Sequence, residues 1–315
     1  MEITERYWRS LKRKNYSSYT VKNYMNRIDH FLLWLRVPLE KTTRRETGAY
    51  VDHLLKKRLS PNTIASHLQT LHVFFEHLID EENIPMTNPI NRVSIRLPKP
   101  LPRCLKDDQA RRFFAAIRDP RDKAMFMLML RSGLRVEEVA RLTVDAVDYR
   151  KRQVFVINGK GAKDRVVYVS DDARLALEAY LQKRPSKAKR LFLVQKGTMK
   201  GEPISVRGIQ KRMEYYARKT GVKVSCHRLR HTFATELLNA DADLTTIQDL
   251  LGHEHITTTQ RYCRVANLKV QRDYYKAMEL VMQKAQGAYD VGESRFVNPG
   301  ERSHEWQVVK RAKRN

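Results

Sequence analysis

The sequence predicts a mainly α-helical protein with one small β-sheet, built as two domains. Three observations carry that expectation. Apolar residues recur at helical spacing in the first ninety positions, five prolines crowd between Ile84 and Leu105, and a single pair of β-branched runs interrupts the helical patterns that follow. At 315 residues with 42% hydrophobic side chains, the chain is long enough to bury a core in each domain.

The clearest early helix runs from Ser18 to Arg36, where Val21, Tyr24, Ile28, Phe31 and Leu35 trace one buried face. Another starts at Ser60-Pro61, an N-cap residue followed by proline at the first helical position. It continues through Ile64, Leu68, Leu71, Phe75 and Leu78, with Asn62, Gln69 and His77 on the other face. The prolines of "IPMTNPINRVSIRLPKPLPRCL" can neither continue a helix nor pair inside a sheet, which makes a stiff linker and puts the domain boundary near 95–104.

Helical patterns resume at Lys106, and the period then changes in "QVFVINGKGAKDRVVYVS". Val154 to Ile157 and Val166 to Val169 flank a glycine-bearing connection and predict a hairpin. Helices return in "CHRLRHTFATELL", "TTIQDLLGH" and "TTTQRYCRV". Thr245 with Gln248 and Thr257 with Gln260 have the capping-box pattern, and Gly252 stands where a helix C-terminus is normally closed, so Tyr262 is expected in the first turns of a helix. Beyond Gly287 no periodicity is sustained and the chain ends on basic residues, a tail expected to be mobile when nothing is bound. The expected organisation is a helical domain over 1–94, a linker over 95–104, an α+β domain over 105–286 and a basic tail over 287–315.

Charge narrows the partner. With 61 Lys and Arg against 35 Asp and Glu, the formal net charge is +26, which attracts polyanions, nucleic acid foremost and acidic membrane lipid as the rival. No stretch has the twenty or so apolar residues of a membrane span, and "MEITERYWRSLKRK" lacks the apolar core of a signal peptide. A cytoplasmic, nucleoid-associated location is therefore expected. Cys104, Cys226 and Cys263 are an odd count with no CxxC pair, which supports neither a disulfide framework nor a zinc knuckle.

Displacement at phosphorus needs a nucleophile, charge on the non-bridging oxygens and a proton for the leaving group. A tyrosine phenol, of pKa near ~10, is a poor nucleophile at neutral pH unless cations and a base surround it, yet it can leave as a phenoxide, which suits a reversible reaction. In "HRLRH", His227 and Arg230 stand at i, i+3 and share a helical face, while Leu229, Phe233 and Leu237 lie on the opposite stripe. "RSGLRVEEVARL" closes the apolar helix "AMFMLML" at Gly133 and delivers Arg135 at the start of the next. Glu137 and Glu138 there can orient that arginine or a nearby imidazole, and Glu138 can equally be a surface carboxylate. Lys160 occupies "NGKGAKD", where flanking glycines free the backbone.

The set "SGLRVEEV", "GKGAKDR", "HRLRHTFAT" and "LLGHEHITTTQRY", in this order and at these separations, closely resembles the tyrosine recombinase (phage integrase) family, in particular its Xer-like branch. The likeness covers roughly residues 1 to 285. It implies catalytic roles for Arg135, Lys160, His227, Arg230, His253 and the nucleophile Tyr262, with Lys160 preferred over Lys163 in the same connection. It also implies a helical, SAM-like N-terminal domain that clamps DNA from the face opposite the catalytic domain. Expected partners are double-stranded DNA with paired inverted half-sites and further copies of the chain, a homotetramer joined by exchange of a C-terminal helix over Ala266 to Gln286. No metal or other cofactor is expected. The tail after Gly287 has no counterpart in the family.

Bland readings compete at each position. Taken alone, Tyr262, Tyr274 and Tyr275 are each more readily packed side chains than nucleophiles. His227 and His231 have the i, i+4 spacing of zinc ligands, but the glutamate of HExxH is missing and Arg228 and Arg230 would repel the cation, so a structural or phosphate-facing role is expected of both. "GKGAK" lacks the spacing of a nucleotide-binding loop. Among rival functions, a type IB topoisomerase uses similar residues, a DNA-binding regulator would leave six spaced matches without a purpose, and a metal-dependent transposase fits least.

Overall fold

N-capping side chains and apolar spacing set the first helices. The computed structural model describes the chain except for residues 1–2, 92–94, 98–102, 158–163, 185–187, 261, 264–271, 280–281 and 283–315. It divides into two units, Met1–Pro100 and Leu101–Asn315. The first holds α1 (Ile3–Arg13), α2 (Ser18–Trp34), α3 (Arg44–Lys56) and α4 (Pro61–Asp80). Ser17 and Ser60 cap α2 and α4 by accepting from the amides of Thr20 and Thr63, and Thr43 and Glu46 close α3 with a reciprocal capping box. Tyr7, Phe31, Tyr50, Phe74 and Phe75 fill the core between these helices, with Phe31 and Tyr50 edge to face at 5.0 Å. His77, expected on the solvent side of α4, is buried instead. Tyr7 of α1 packs against its ring at 4.9 Å, with Glu81 and Glu82 within 3.2 and 3.6 Å of its nitrogens.

The second unit runs α5 (Asp107–Ala115), α6 (Pro120–Arg131), α7 (Val136–Arg141), β1 (Val147–Asp148), β2 (Gln153–Val156), β3 (Arg165–Tyr168), α8 (Asp171–Leu181), α9 (Val206–Thr220), α10 (Cys226–Asn239), α11 (Leu244–Leu251) and α12 (Ile256–Gln260). Helix α6 is its axis: every residue from Ala124 to Leu130 is buried, because α8 and α10 pack on it. Its charged start is compensated, with fully buried Asp122 held by Arg121 at 2.7 Å and Arg212 at 2.6 Å. The predicted hairpin forms antiparallel with Val154 opposite Val167, so that Val154, Val156 and Val167 face the core while Phe155 and Tyr168 face out. A two-residue strand, β1, extends the sheet beyond the hairpin the sequence predicts.

Candidate active site

Chain direction is reset twice around the site, each time at a glycine. After α6, Gly133 adopts φ +64°, and a Cβ there would lie 2.5 Å from the Phe233 ring, so the turn needs glycine for both backbone and space. Leu134 is buried beyond it, and Arg135 follows as the N-cap of α7. The second reset is Gly252, the left-handed C-cap of α11 at φ 60° and ψ 52°.

The last carbonyls of α11 organise the arginines. Arg165 Nε donates to Leu250 O at 2.9 Å, Arg230 Nη2 to Leu251 O at 2.5 Å, and Arg135 Nη2 to Gly252 O at 3.0 Å. Helix ends leave such carbonyls without intrahelical donors and at the negative pole of the helix, so three guanidiniums gather where the backbone calls for positive charge. Arg230 also donates to Gly133 O, fixing it across both resets. Glu138 is the carboxylate among them. Arg165 meets it with two bonds of 2.7 and 2.8 Å, while Arg135 donates to it through its side chain at 2.9 Å and its amide at 2.7 Å.

Electrostatics follow from that packing. Burial works to raise the Glu138 pKa, but the hydrogen bonds and charge of Arg165, with those of Arg135, win and hold it at about 2. Arg230 is 2% exposed, and burial together with the charge of Arg135 brings it down to about 9 against the pull of Glu138. Burial lowers His253 to about 3, with Arg230, Arg135 and Arg165 pushing the same way, so its imidazole is neutral. His253 Nδ1 lies 2.9 Å from Thr259 Oγ1.

Helix α10, capped by Ser225, carries His227, Arg230 and His231. The rings of His227 and His231 stand 4.1 Å apart and edge to face. His231 Nδ1 lies 2.8 Å from the Tyr262 hydroxyl, and the Tyr262 ring is parallel to that of His253 at 6.4 Å. Tyr262 itself is 3% exposed, packed with Phe233, Ala234, Leu238, Ile247 and Leu251. Arg135, His227 and Arg230 line one side of a cleft of about 510 Å³, together with Glu137, Arg207 and Cys226.

With this geometry in place, the comparisons with known proteins agree. The model for the "Phage integrase family" matches residues 103–269, and that for "Phage integrase, N-terminal SAM-like domain" matches residues 3–84. The chain belongs to the phage integrase family. It is 31% identical over 276 residues to tyrosine recombinase XerC of Staphylococcus epidermidis, a match that spans 84% of this chain and 92% of that protein. A crystal structure of XerA recombinase is 27% identical with a TM-score of 0.51, covering 87% of this chain and 97% of its own. A lambda integrase dimer bound to a COC′ core site shares the fold, with a TM-score of 0.69 at 18% identity over 82% of this chain and 93% of its own. Within the family the chain is a tyrosine-type site-specific recombinase.

The recombinase brings together five of the six residues singled out from its sequence: Arg135, His227, Arg230, His253 and Tyr262. Lys160, and Lys163 beside it, lie outside the described residues. Tyr262 is not in the first turns of a helix. Helix α12 ends at Gln260, and the Tyr262 amide bonds back to Thr259 O at 2.9 Å in a following turn. Neither expected capping box forms, because Asp243 takes the N-cap position of α11 upstream of Thr245, without a side-chain hydrogen bond, and α12 starts at Ile256, leaving both threonines inside helices. Residues 272–279 of the expected C-terminal helix are helical, with Tyr274, Tyr275 and Met278 exposed as is Met282; Val270, Val281 and Ala285, apolar residues of the same expected helix, fall outside the described residues.

Arg165 escaped the sequence reading, and His231 was given only a structural or phosphate-facing role. Arg165 carried the signal of sharing the hairpin motif with Lys160, but its partners lie 27 and 85 positions away. His231 was visible one helical turn after His227, yet nothing local tells that Tyr262, 31 positions on, bonds to it. Among the described residues no group of three His, Cys, Asp or Glu side chains could hold a metal ion, and no helix is long and apolar enough to cross a membrane.

Proposed function

We propose that Tyr262 attacks a scissile DNA phosphate, forming a 3′-phosphotyrosyl bond and releasing a 5′-hydroxyl, and that attack by a partner strand's hydroxyl reverses the step. The observation that carries this reading is the phenol itself, bonded to His231 on the helix that also carries His227 and Arg230. Arg135 and Arg230 would hold the non-bridging oxygens with N–H groups beyond those spent on the α11 carbonyls, where charge develops in the transition state. Neutral His253, its Nδ1 engaged by Thr259, would donate to the phosphate from Nε2. Lys160 would protonate the leaving 5′-oxygen, and His227 would assist removal of the phenol proton. Bond energy is kept in the adduct, so no metal or high-energy cofactor is called for.

On this reading residues 1–94 clamp the duplex, 95–104 link, and 105–286 carry the chemistry. Four copies on paired inverted half-sites would be joined by exchange of the helix over 266–286, in the cytoplasm and on the nucleoid. The DNA-bound state of the lambda integrase structure and the net charge of +26 support duplex DNA as the partner. The test is Tyr262→Phe on a nicked suicide substrate. The variant should bind the site as the parent does and form no covalent adduct; an adduct would sink the assignment of the nucleophile.

A further inference from the structure

We infer that His231 is the group that takes the phenol proton as the Tyr262 oxygen attacks phosphorus, with His227 behind it as the second imidazole of a pair. The inference rests on Tyr262 being the nucleophile. Four observations point to it. His231 Nδ1 lies 2.8 Å from the Tyr262 hydroxyl, within direct proton-transfer distance. His231 directly follows Arg230 on α10, so phenol and guanidinium are brought to one stretch of helix. The edge of one imidazole meets the face of the other at 4.1 Å and 71°, so His227 packs directly on His231 and holds that ring toward the phenol. His253, the remaining imidazole near the phenol, lies parallel to its ring at 6.4 Å and uses Nδ1 on Thr259, an arrangement suited to packing and not to proton transfer.

The step balances as follows. Neutral His231, protonated on Nε2, receives the phenol proton on Nδ1 and becomes imidazolium. The phenol oxygen forms its bond to phosphorus, the bond from phosphorus to the 5′-oxygen breaks, and that oxygen takes a separate proton from the Lys160 ammonium. When a 5′-hydroxyl attacks the adduct, each proton returns to its source. His231 thus contacts a reacting atom and is a catalytic residue, whereas Arg165 and Glu138 act through Arg135 and position it.

The full-length chain tests this on a nicked suicide substrate, with adduct formation as the readout. In His231→Asn the side-chain amide can still hydrogen bond the phenol in either sense but cannot carry a proton. Adduct formation should fall by about a hundred-fold or more, the scale of general acid–base catalysis, with DNA binding unchanged. Replacing the bridging 5′-oxygen by sulfur removes the need for a leaving-group proton, so it should restore Lys160→Ala and leave His231→Asn slow. Free imidazole should partly restore His231→Ala. If His231→Asn cleaves as fast as the parent, His231 only rests against the phenol, and if the sulfur substrate rescues it, His231 serves the leaving oxygen instead; either result overturns the inference. An adduct formed by Tyr262→Phe overturns the nucleophile itself, a failure separate from that of His231.

Discussion

In the first unit the Tyr50 hydroxyl lies 2.8 Å from His30 Nδ1 and 3.0 Å from His67 Nδ1; in the second, Arg135, Arg165 and Arg230 surround one carboxylate, Glu138. Both are polar clusters within packed helices, and both contain a histidine whose pKa falls. His67 drops to about 4 through burial and then the charges of His30 and Arg27, His253 to about 3 through burial and then three arginines. The first cluster is centred on neutral groups that satisfy one another. The second has a surplus of cations whose remaining partners are backbone carbonyls at a helix end. A carbonyl carries only a partial charge, so the surplus stays open to an anion, and an arrangement poor as a core is well suited to a phosphate.

The sharpest way to break the comparison is to remove the most buried cation. Arg230→Ala should bind DNA and cleave it slower by two or more powers of ten, the usual cost of one transition-state donor, as read by adduct formation under single-turnover conditions. A loss below ten-fold would show that the surplus is not aimed at the phosphate.

What could be read without coordinates, and what could not, follows the range of the interactions. His227 with Arg230 was legible because i, i+3 spacing on a helix is local, and Gly133 and Gly252 were legible because a helix end followed by a reversal calls for glycine. The hairpin showed in its β-branched runs. Arg165 and His231 act over 27 and 31 positions, and neither periodicity nor capping chemistry encodes which distant group will meet them. The burial of His77 has the same origin, since α1 and not α4 decides it. The missing capping boxes are another case: the pattern was present at Thr245, but Asp243 had already started the helix.

The carboxylate is the next point of attack. Glu138→Gln keeps the shape and one acceptor while removing the charge that faces Arg135 and Arg165, and breaking a buried pair on one side costs about 3–5 kcal/mol. The glutamine should fall near the lower end because it still accepts a hydrogen bond. Thermal unfolding with and without inorganic sulfate sharpens the contrast: sulfate should stabilise Glu138→Gln more than the parent, since a larger surplus binds an anion better. Equal stabilisation would mean that the arginines are closed to solvent ions.

The smallest effect belongs to the neutral cluster. Tyr50→Phe removes the hydroxyl used by His30 and His67, yet leaves the rings packed, and Lys57 still approaches His30 Nε2 at 3.2 Å, so the expected loss is about 1 kcal/mol. Its pH dependence is the informative part. The folded pKa of His67, about 4, lies below its ordinary value of 6.5, so protonation favours the unfolded chain. The stability it contributes is present above about 6.5 and is lost as the pH falls toward 4. Burial is the leading cause of that depression and survives the substitution, whereas contributions from Glu138 and His253 are common to both proteins and cancel. The stability difference between Tyr50→Phe and the parent, followed by denaturant unfolding from pH 7 to 4, should therefore stay flat. A difference that shrinks toward zero on acidification would show that the tyrosine hydrogen bond, and not desolvation, keeps His67 neutral, and would make the two clusters more alike than their charges suggest.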